Sequence, residues 1–377
     1  MVAGPAETMV KGAGLALADS PLGRTIATTA TDIWNDSCAV DELAYAISFG
    51  AVGATANPTI VADVWKADPP AWRERVRVLA DQRPDATETD LAWAIVEEMS
   101  LRAAPLLLPA FEASGGRQGR LSMQTDPTLF RSFDRMLAQG EHFASLARNI
   151  IVKFPTTSVG VQVMEEATYR GVHVNATVSF SVAQAVAAGE AVERGLRRRE
   201  AEGLRVDDME PVITVMMGRL EDWLKVQTER DGIVADPSAI PWSGVAVMKR
   251  TVAEFRARGL RARPLGAAIR HHLHWSELVG GDIVLTMPAS WQRRFNASSV
   301  EVRPRMDDPI DPAILDELQT RFPDFVRAYE PDALTPEEFD TFGPSARTLR
   351  AFVGSYHELL HQVSDALVPD PDLAKPS

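Results

Sequence analysis

The sequence predicts an α/β protein built as a single (β/α)₈ TIM barrel, with extra helices at both ends of the chain. Two observations support this fold class. Short apolar segments alternate with longer helical patterns, and there are eight such segments. Alternation indicates parallel βαβ units, and eight units in one chain suggest a closed barrel, although a doubly wound sheet uses the same alternation.

The predicted strands are short and rich in aliphatic and β-branched residues. In chain order they are Thr25–Asp32, Ala51–Ala56, Arg120–Thr125, Asn149–Phe154, Val172–Val178, Val212–Met217, Leu265–Arg270 and Asp282–Leu285. Helical patterns separate them, among them Leu91–Met99, Pro127–Ala138, Val159–Tyr169, Val182–Arg194 and Val245–Arg258. This order predicts a barrel over residues 21–300.

The two ends of the chain depart from the alternation. Residues 1–20 mix small and polar residues and are predicted to be mobile, as are residues 369–377. From Asp307 onward the chain is acidic and rich in proline, and amphipathic helical patterns follow over Ile314–Phe325 and Ala346–Val368. We interpret residues 301–377 as C-terminal helices that pack on the barrel.

The composition limits the classes of function. The chain has 377 residues, of which 45% are hydrophobic, so it can bury a large core. Its net charge of −13 argues against nucleic acid and anionic membranes as partners. The single cysteine, Cys38, excludes an intramolecular disulfide and a Cys-rich metal site. Neither a signal peptide nor an apolar run of 18 residues is evident, so we expect a cytoplasmic protein.

Lys153 is the most informative single residue. It lies in the apolar run Ile150–Pro155, where burial disfavours the charged ammonium and lowers the pKa of the amine. A neutral amine on a rigid strand can form a Schiff base with a carbonyl substrate. The alternative is a lysine at a strand end that extends its ammonium to solvent.

Polar residues recur near the predicted carboxyl ends of the strands, the end that holds the active site in a (β/α)₈ barrel. In chain order they are Asp32, Asn57, Gln124, Asp126, Lys153, Asn175, Thr177, Thr214, Arg219 and Arg270. Any one of them is compatible with a capping or turn role, but their convergence favours a functional site.

Several motifs, in order along residues 25–290, resemble the transaldolase family. They are Thr31-Asp32-Ile33-Trp34, Ala54-Thr55-Ala56-Asn57-Pro58-Thr59, Asn149 to Thr157 around Lys153, Gly171 to Ser181, Gly218-Arg219 with Asp222-Trp223, and Leu285-Thr286-Met287-Pro288. The resemblance implies a Schiff-base transferase that acts on sugar phosphates in carbohydrate metabolism, such as the pentose phosphate pathway, without a cofactor or metal.

The resemblance also implies a role for each matching residue. Lys153 would form the imine with a ketose phosphate, and Asp32 would take the proton of the C4 hydroxyl as C3–C4 breaks. Asn57 and Asn175 would hold the dihydroxyacetone unit, with Thr214 in place of the usual serine. Thr177 would help to manage the catalytic water. Arg219 and Arg270 would bind phosphate, as two guanidinium groups suit a phosphate dianion.

Gln124 departs from this pattern, because most transaldolases carry glutamate there. An amide positions water but does not accept a proton near neutral pH. Fructose-6-phosphate aldolases also carry glutamine at this position, together with a tyrosine on the sixth strand where this chain has Met216. The resemblance therefore leaves three functions open: a transaldolase, an aldolase or specialised sugar transferase, and a catalytically weak sugar-phosphate-binding homologue.

The segment His271-His272-Leu273-His274 raises the alternative of a metal site. His272 and His274 would share one face of a strand, but no second His, Asp or Glu cluster is evident from the spacing, and imine chemistry needs no metal. We therefore expect no metal. As a separate expectation, the protein is a monomer or a homodimer.

Overall fold

The computed structural model describes residues 17–368, and its centre is a closed barrel of eight parallel strands. Each strand pairs with the next, and the eighth pairs with the first. The strands are β1 Asp32–Asn35, β2 Gly53–Thr55, β3 Arg120–Gln124, β4 Ile150–Pro155, β5 Val174–Thr177, β6 Val212–Val215, β7 Arg263–Gly266 and β8 Val284–Met287. The predicted fold class is confirmed.

Helices follow the strands around the barrel, and additional helices extend both ends of the described chain. They are α1 Pro21–Thr28, α2 Val40–Ser48, α3 Pro58–Ala67, α4 Pro69–Gln82, α5 Glu88–Ala113, α6 Phe133–Leu146, α7 Ser158–Tyr169, α8 Val182–Ala201, α9 Met217–Asp231, α10 Ile240–Arg258, α11 Leu273–Ser276, α12 Ala289–Asn296, α13 Pro312–Arg321, α14 Pro323–Tyr329 and α15 Gly343–Leu367.

The first predicted strand is wrong. Its N-terminal half belongs to helix α1, which begins with Ser20 as the N-cap and a proline in the first turn. Ser20 Oγ accepts a hydrogen bond from the backbone N–H of Gly23, which satisfies one of the free donors of the helix start. Strand β1 begins only at Asp32. Asp32 therefore opens this strand, whereas the sequence pattern placed it at the end.

The seventh strand is also displaced from its predicted position. Strand β7 runs from Arg263 to Gly266, not from Leu265 to Arg270. Arg270 consequently lies in the loop after β7, close to the short helix α11. This loop includes Ala268, whose φ of 62° lies in the left-handed region that an alanine rarely adopts.

Side chains fill the middle of the barrel. Trp34, Ile151, Val212, Leu265 and Val284 belong to one buried apolar cluster, separate from the larger core. Gly53 makes room for the indole ring, since a Cβ at this position would lie 2.4 Å from Trp34. The interior is therefore packed, as is usual for this fold, and open space is found towards the ends of the barrel.

The last helix packs mainly against α3, α4 and α5, and it also contacts α9. Polar contacts attach it to the barrel layer at two points: Ser355 Oγ lies 3.0 Å from Thr59 Oγ1 of α3, and Gln184 Nε2 of α8 donates to Ser345 Oγ at 3.0 Å. Residues 1–16 and 369–377, which were predicted to be mobile, lie outside the described residues. Within residues 17–368, no helix is long and apolar enough to cross a membrane.

Candidate active site

A cavity of about 530 Å³ opens at the carboxyl ends of the strands. Lys153, Asn57, Arg219 and Arg270 all line it, so four of the predicted site residues come together. Asp36, which the sequence interpretation did not single out, lines the same cavity. This end of the barrel carries the active site in enzymes of this fold.

Lys153 lies on β4 and is only 3% exposed. Burial lowers the pKa of its ammonium from 10.5 to about 8, with a further decrease from the positive charge of Arg219. The carboxylate of Asp36 opposes this shift because it favours the charged amine. At pH 7 about a tenth of the amine would be neutral, against less than about a thousandth for an unperturbed lysine. The cavity therefore supplies a nucleophilic amine.

Asp36 follows strand β1 directly and is half-buried. Thr55 Oγ1 donates a hydrogen bond of 2.5 Å to its Oδ1, and Thr286 Oγ1 lies 3.1 Å from that hydroxyl. These contacts fix a carboxylate in the cavity that holds Lys153. The alternation of β1 contains the signal, since Asp32, Trp34 and Asp36 point to the same face. Strand β1 ends at Asn35, so a prediction with this end would have placed Asp36 at the carboxyl end of the barrel, where active-site residues lie.

Asp32 is placed at the opposite end of the barrel, so its predicted position is wrong. Arg263 Nη1 donates to Asp32 Oδ2 at 2.6 Å, and Gln118 Nε2 lies 3.1 Å from both carboxylate oxygens. Asp32 lines a separate cavity of about 640 Å³ with Glu210 and Asp282. Because it opens β1, its side chain is held in a structural ion pair away from Lys153.

Two polar residues are fully buried beside Lys153 in the barrel. Asn175 is the register partner of Lys153 on β5. Its Nδ2 donates to Ser122 Oγ at 2.9 Å, and its Oδ1 accepts from Thr214 Oγ1 at 2.8 Å. Both polar groups of the amide are thereby engaged. Asn175 and Thr214 thus form a hydrogen-bonded layer and do not contribute to the lining of the open cavity.

Asn57 has a local structural task as well as a place in the cavity. Its Oδ1 accepts from the backbone N–H groups of Thr59 and Ile60, at 2.9 and 3.0 Å, and so caps helix α3. This use of the oxygen fixes the orientation of the side chain and leaves the amide NH₂ as the group able to donate to a ligand.

Gln124 is the register partner of Lys153 on β3 and is 5% exposed. Its Oε1 is buried without a hydrogen-bond partner among the described residues. It lines a small cavity that shares Asn57 with the main one and is closed by Tyr356 from α15. Thr177 is fully buried, and its hydroxyl lies 3.9 Å from Met216 Sδ. Neither residue lines the main cavity.

Arg219 and Arg270 form the cationic side of the cavity. Arg219 is half-buried on α9, and its guanidinium lies over the ring of Phe352, 5.1 Å from the centroid. Burial, together with the like charge of Arg270, lowers the pKa of Arg219. Arg270 is 37% exposed and pairs with Asp222 at 2.8 Å. Two cations that repel each other in the free site provide a place for a dianion.

Within the described residues, one group of three His and Glu side chains lies close enough together to hold a metal ion. It contains Glu221, His271 and His274. The spacing of the sequence shows no second His, Asp or Glu cluster, and the fold brings one acidic residue, Glu221 on α9, to the histidine segment. His272 lies outside the group, and its Nδ1 contacts Ser276 Oγ at 3.3 Å.

The fold and the cavity define a class of protein: a (β/α)₈ barrel with a buried lysine, a carboxylate and two arginines at its carboxyl end. Comparison with known proteins agrees with this class. The family model described as transaldolase/fructose-6-phosphate aldolase matches residues 33–331. The chain belongs to this family.

Individual relatives are similar to the chain at modest identity. A protein of Thiobacillus denitrificans named transaldolase is 32% identical over 46% of this chain and 48% of its own length. Transaldolase 1 of Streptomyces avermitilis is 27% identical over 63% of this chain and 68% of its own. A transaldolase of a Parafrankia strain is 26% identical over 81% and 89%. The first of these matches therefore covers about half of its relative.

Proposed function

We propose that this protein is a transaldolase-type enzyme, which forms a Schiff base between Lys153 and a ketose phosphate and transfers the dihydroxyacetone unit to an aldose acceptor. The observation that carries the proposal is the meeting of Lys153, Asp36, Arg219 and Arg270 in one cavity. A neutral amine, a fixed carboxylate and two guanidinium groups are the functional groups that this reaction needs.

The proposed reaction begins with the attack of Lys153 Nζ on the C2 carbonyl. The carbinolamine takes up one proton from solvent and loses water, which leaves a protonated imine; the final hydrolysis returns this proton. Asp36 takes the proton from the C4 hydroxyl, the C3–C4 bond breaks, and its electron pair moves to the imine nitrogen as an enamine. The aldehyde fragment leaves. The enamine carbon then attacks the aldehyde of the acceptor, which regains the proton as its hydroxyl, and water releases Lys153 from the product.

The charge distribution of the cavity supports an orientation for the substrate. Arg219 and Arg270 lie on one side, whereas Asp41, Glu42 and Asp63 contribute carboxylates elsewhere along the lining. A phosphate group is attracted to the arginines and repelled by the acidic side. The phosphorylated end of the ketose would lie at Arg219 and Arg270, with its carbonyl end at Lys153.

Gln124 favours an aldolase or a specialised sugar transferase as the second candidate. Its amide positions the water of imine formation without accepting a proton, so Thr177 and the substrate would carry more of the proton transfer. A family member with this residue would differ from an ordinary transaldolase in how the acceptor or water reaches the enamine. The same observation is compatible with a binding protein of low activity.

Product analysis with fructose 6-phosphate separates these candidates. A transaldolase releases glyceraldehyde 3-phosphate in quantity only when erythrose 4-phosphate is added, and it then forms sedoheptulose 7-phosphate. An aldolase releases free dihydroxyacetone without an acceptor. Lys153→Arg is the control, since a guanidinium stays protonated and forms no imine. A protein that binds the sugar phosphate but yields no product under either condition would overturn the proposal in favour of the binding homologue.

A further inference from the structure

The group of Glu221, His271 and His274 lies directly behind the two arginines. Glu221 and His274 are fully buried. His271 Nε2 lies 3.0 Å from Glu221 Oε1, and His274 Nε2 contacts the same oxygen. Burial of a carboxylate costs free energy of desolvation unless neighbouring groups neutralise its charge, and here two imidazole rings contact it. Such a buried charged unit suggests a functional role.

The group connects the two elements that carry the arginines. Glu221 follows Arg219 by two residues on helix α9. His271 follows Arg270 directly, and His274 Nδ1 accepts a hydrogen bond of 3.3 Å from the backbone N–H of Arg270. The carboxylate of one element is therefore joined through two imidazole rings to the loop of the other.

The hydrogen bonds assign the tautomer of His274. Its Nδ1 faces an N–H donor and acts as an acceptor, so in the neutral ring the proton is on Nε2, towards Glu221. A metal ion would need the lone pair of Nε2 and would place the proton on Nδ1, against the N–H of Arg270. The acceptor role of Nδ1 therefore argues against a metal ion on Nε2, and it favours a compact unit in which Glu221 is in close contact with both rings.

The loop that carries Arg270 is held in a strained conformation against α9. Ala268 has a φ of 62°, a left-handed conformation that an alanine rarely adopts. Gly218 lies beside it, and a Cβ at Gly218 would meet the carbonyl oxygen of Ala268 at 1.9 Å. A strained backbone conformation persists only where the surrounding structure holds it. The exposed Arg270–Asp222 ion pair is a weak restraint on the loop, so other contacts must hold it.

We propose that Glu221, His271 and His274 are positioning residues, which hold Arg219 and Arg270 at the spacing that binds a substrate phosphate. This inference rests on the proposed function, since it assumes that the arginines bind phosphate. The unit acts on the phosphorylated end of the substrate and leaves the chemistry at Lys153 unchanged. Loss of the unit of Glu221, His271 and His274 would weaken the binding of a phosphorylated donor, and it would leave the binding of the unphosphorylated analogue unchanged.

The test compares fructose 6-phosphate with fructose as donors for borohydride trapping on Lys153. The variants are Glu221→Gln, which keeps the shape and removes the charge, and His274→Leu, which removes both ring contacts. His274→Asn retains an acceptor for the N–H of Arg270 and serves as the conservative variant. His272→Gln is the matched control, because His272 is an exposed histidine of the same loop without contact to Glu221. Circular dichroism at the assay temperature verifies folding.

We expect Glu221→Gln and His274→Leu to raise the half-saturating concentration of fructose 6-phosphate about tenfold, the effect of about one charge-assisted hydrogen bond. The maximal trapping rate with fructose 6-phosphate, and both the rate and the half-saturating concentration with fructose, should stay within about twofold of the wild-type values. His274→Asn should restore part of the affinity, and His272→Gln should match the wild type.

Two results would overturn the inference while leaving the proposed function intact. One is an equal loss for both donors in folded variants, or no loss for either. The other is a stoichiometric divalent metal in the purified protein, measured by mass spectrometry, that Glu221→Gln removes. A wild-type protein that forms no adduct with either donor would instead contradict the proposed function itself.

Discussion

Two aspartates lie at opposite ends of strand β1 and have different surroundings. Asp36 faces the cavity of Lys153 and accepts a hydrogen bond from Thr55, whereas Asp32 pairs with Arg263 at the other end of the barrel. The same kind of side chain therefore has two surroundings: the cavity at one end, where we propose that Asp36 transfers a proton, and an ion pair with Arg263 at the other.

We predict that Asp36→Asn slows cleavage of C3–C4 by about 10²–10⁴-fold, the usual contribution of a general base. Imine formation on Lys153 should continue, so the trapped adduct would carry the intact ketose. Cleavage is measured by release of glyceraldehyde 3-phosphate. Asp32→Asn is the matched control. It should leave the cleavage rate unchanged but lower the free energy of unfolding by roughly 1–3 kcal/mol, because Arg263 loses one of its two carboxylate partners and keeps only Asp282. If Asp32→Asn slowed cleavage and Asp36→Asn changed only the free energy of unfolding, Asp32 would be the base.

Gln124 is a second residue whose substitution is informative. A glutamate at this position would stand next to Lys153 in the strand register and supply a proton acceptor that the amide lacks. We predict that Gln124→Glu accelerates trapping of the donor and its transfer to erythrose 4-phosphate, with a new pH dependence from the carboxyl group. Quenched time courses over a range of pH measure the rates of trapping and of transfer. Lower activity at every pH would mark the glutamine as part of a different mechanism and favour the aldolase.

At the scale of elements, the C-terminal helix α15 contributes to the site from outside the barrel. Phe352 is fully buried and supports the guanidinium of Arg219 through its ring face. Tyr356 closes the small cavity at Gln124 from the same helix. A helix that packs on α3, α4 and α5 thus also orients a group that binds substrate in our proposal.

Phe352→Leu tests this contribution. Loss of the ring removes a cation–π contact of about 0.5–2 kcal/mol, so the KM for fructose 6-phosphate should rise about twofold to thirtyfold, with little change for fructose. The smaller side chain should also lower the free energy of unfolding by roughly 1 kcal/mol. Steady-state kinetics and urea denaturation measure the two effects. Leu349→Ala, which leaves a larger cavity in the same helix and removes no aromatic ring, is the control for lost packing alone. An equal KM effect there would argue against a specific role for the ring.

The elements also show which features the sequence pattern could predict. The β4 segment around Lys153 is apolar throughout and bounded by polar residues, and its bounds were predicted to within one residue. The first strand was missed because Thr25 to Ala30 is rich in threonine, which suggests a strand, whereas Ser20 and Pro21 cap a helix. The contact of Glu221 with His271 spans 50 residues of chain, so no local pattern could reveal it.

For the whole molecule, Lys153 carries a cost in stability. Its pKa is about 8 in the folded protein against 10.5 as a free side chain, so the unfolded chain binds the extra proton between these values. Stability rises with pH across this window, and the full penalty applies below pH 8. A shift of this size corresponds to about 3 kcal/mol.

We therefore predict that Lys153→Met stabilises the protein, by roughly 2–4 kcal/mol at pH 7, while it abolishes activity. The gain should shrink as the pH rises from 8 to 10.5, because the native amine is then neutral and the unfolded amine loses its proton as well. Urea denaturation at pH 7 and pH 10 measures the difference. A stabilisation that does not depend on pH would show that packing, and not the charge of the amine, sets the effect.

In the proposed mechanism, Lys153 is the residue that forms the imine. The most direct measurement is incubation with fructose 6-phosphate and borohydride, followed by proteolysis and mass spectrometry of the peptide that carries Lys153. We predict a stable adduct on Lys153 in the wild type and none in Lys153→Arg. An adduct of equal yield in the variant, or one mapped to another lysine such as Lys249, would contradict it.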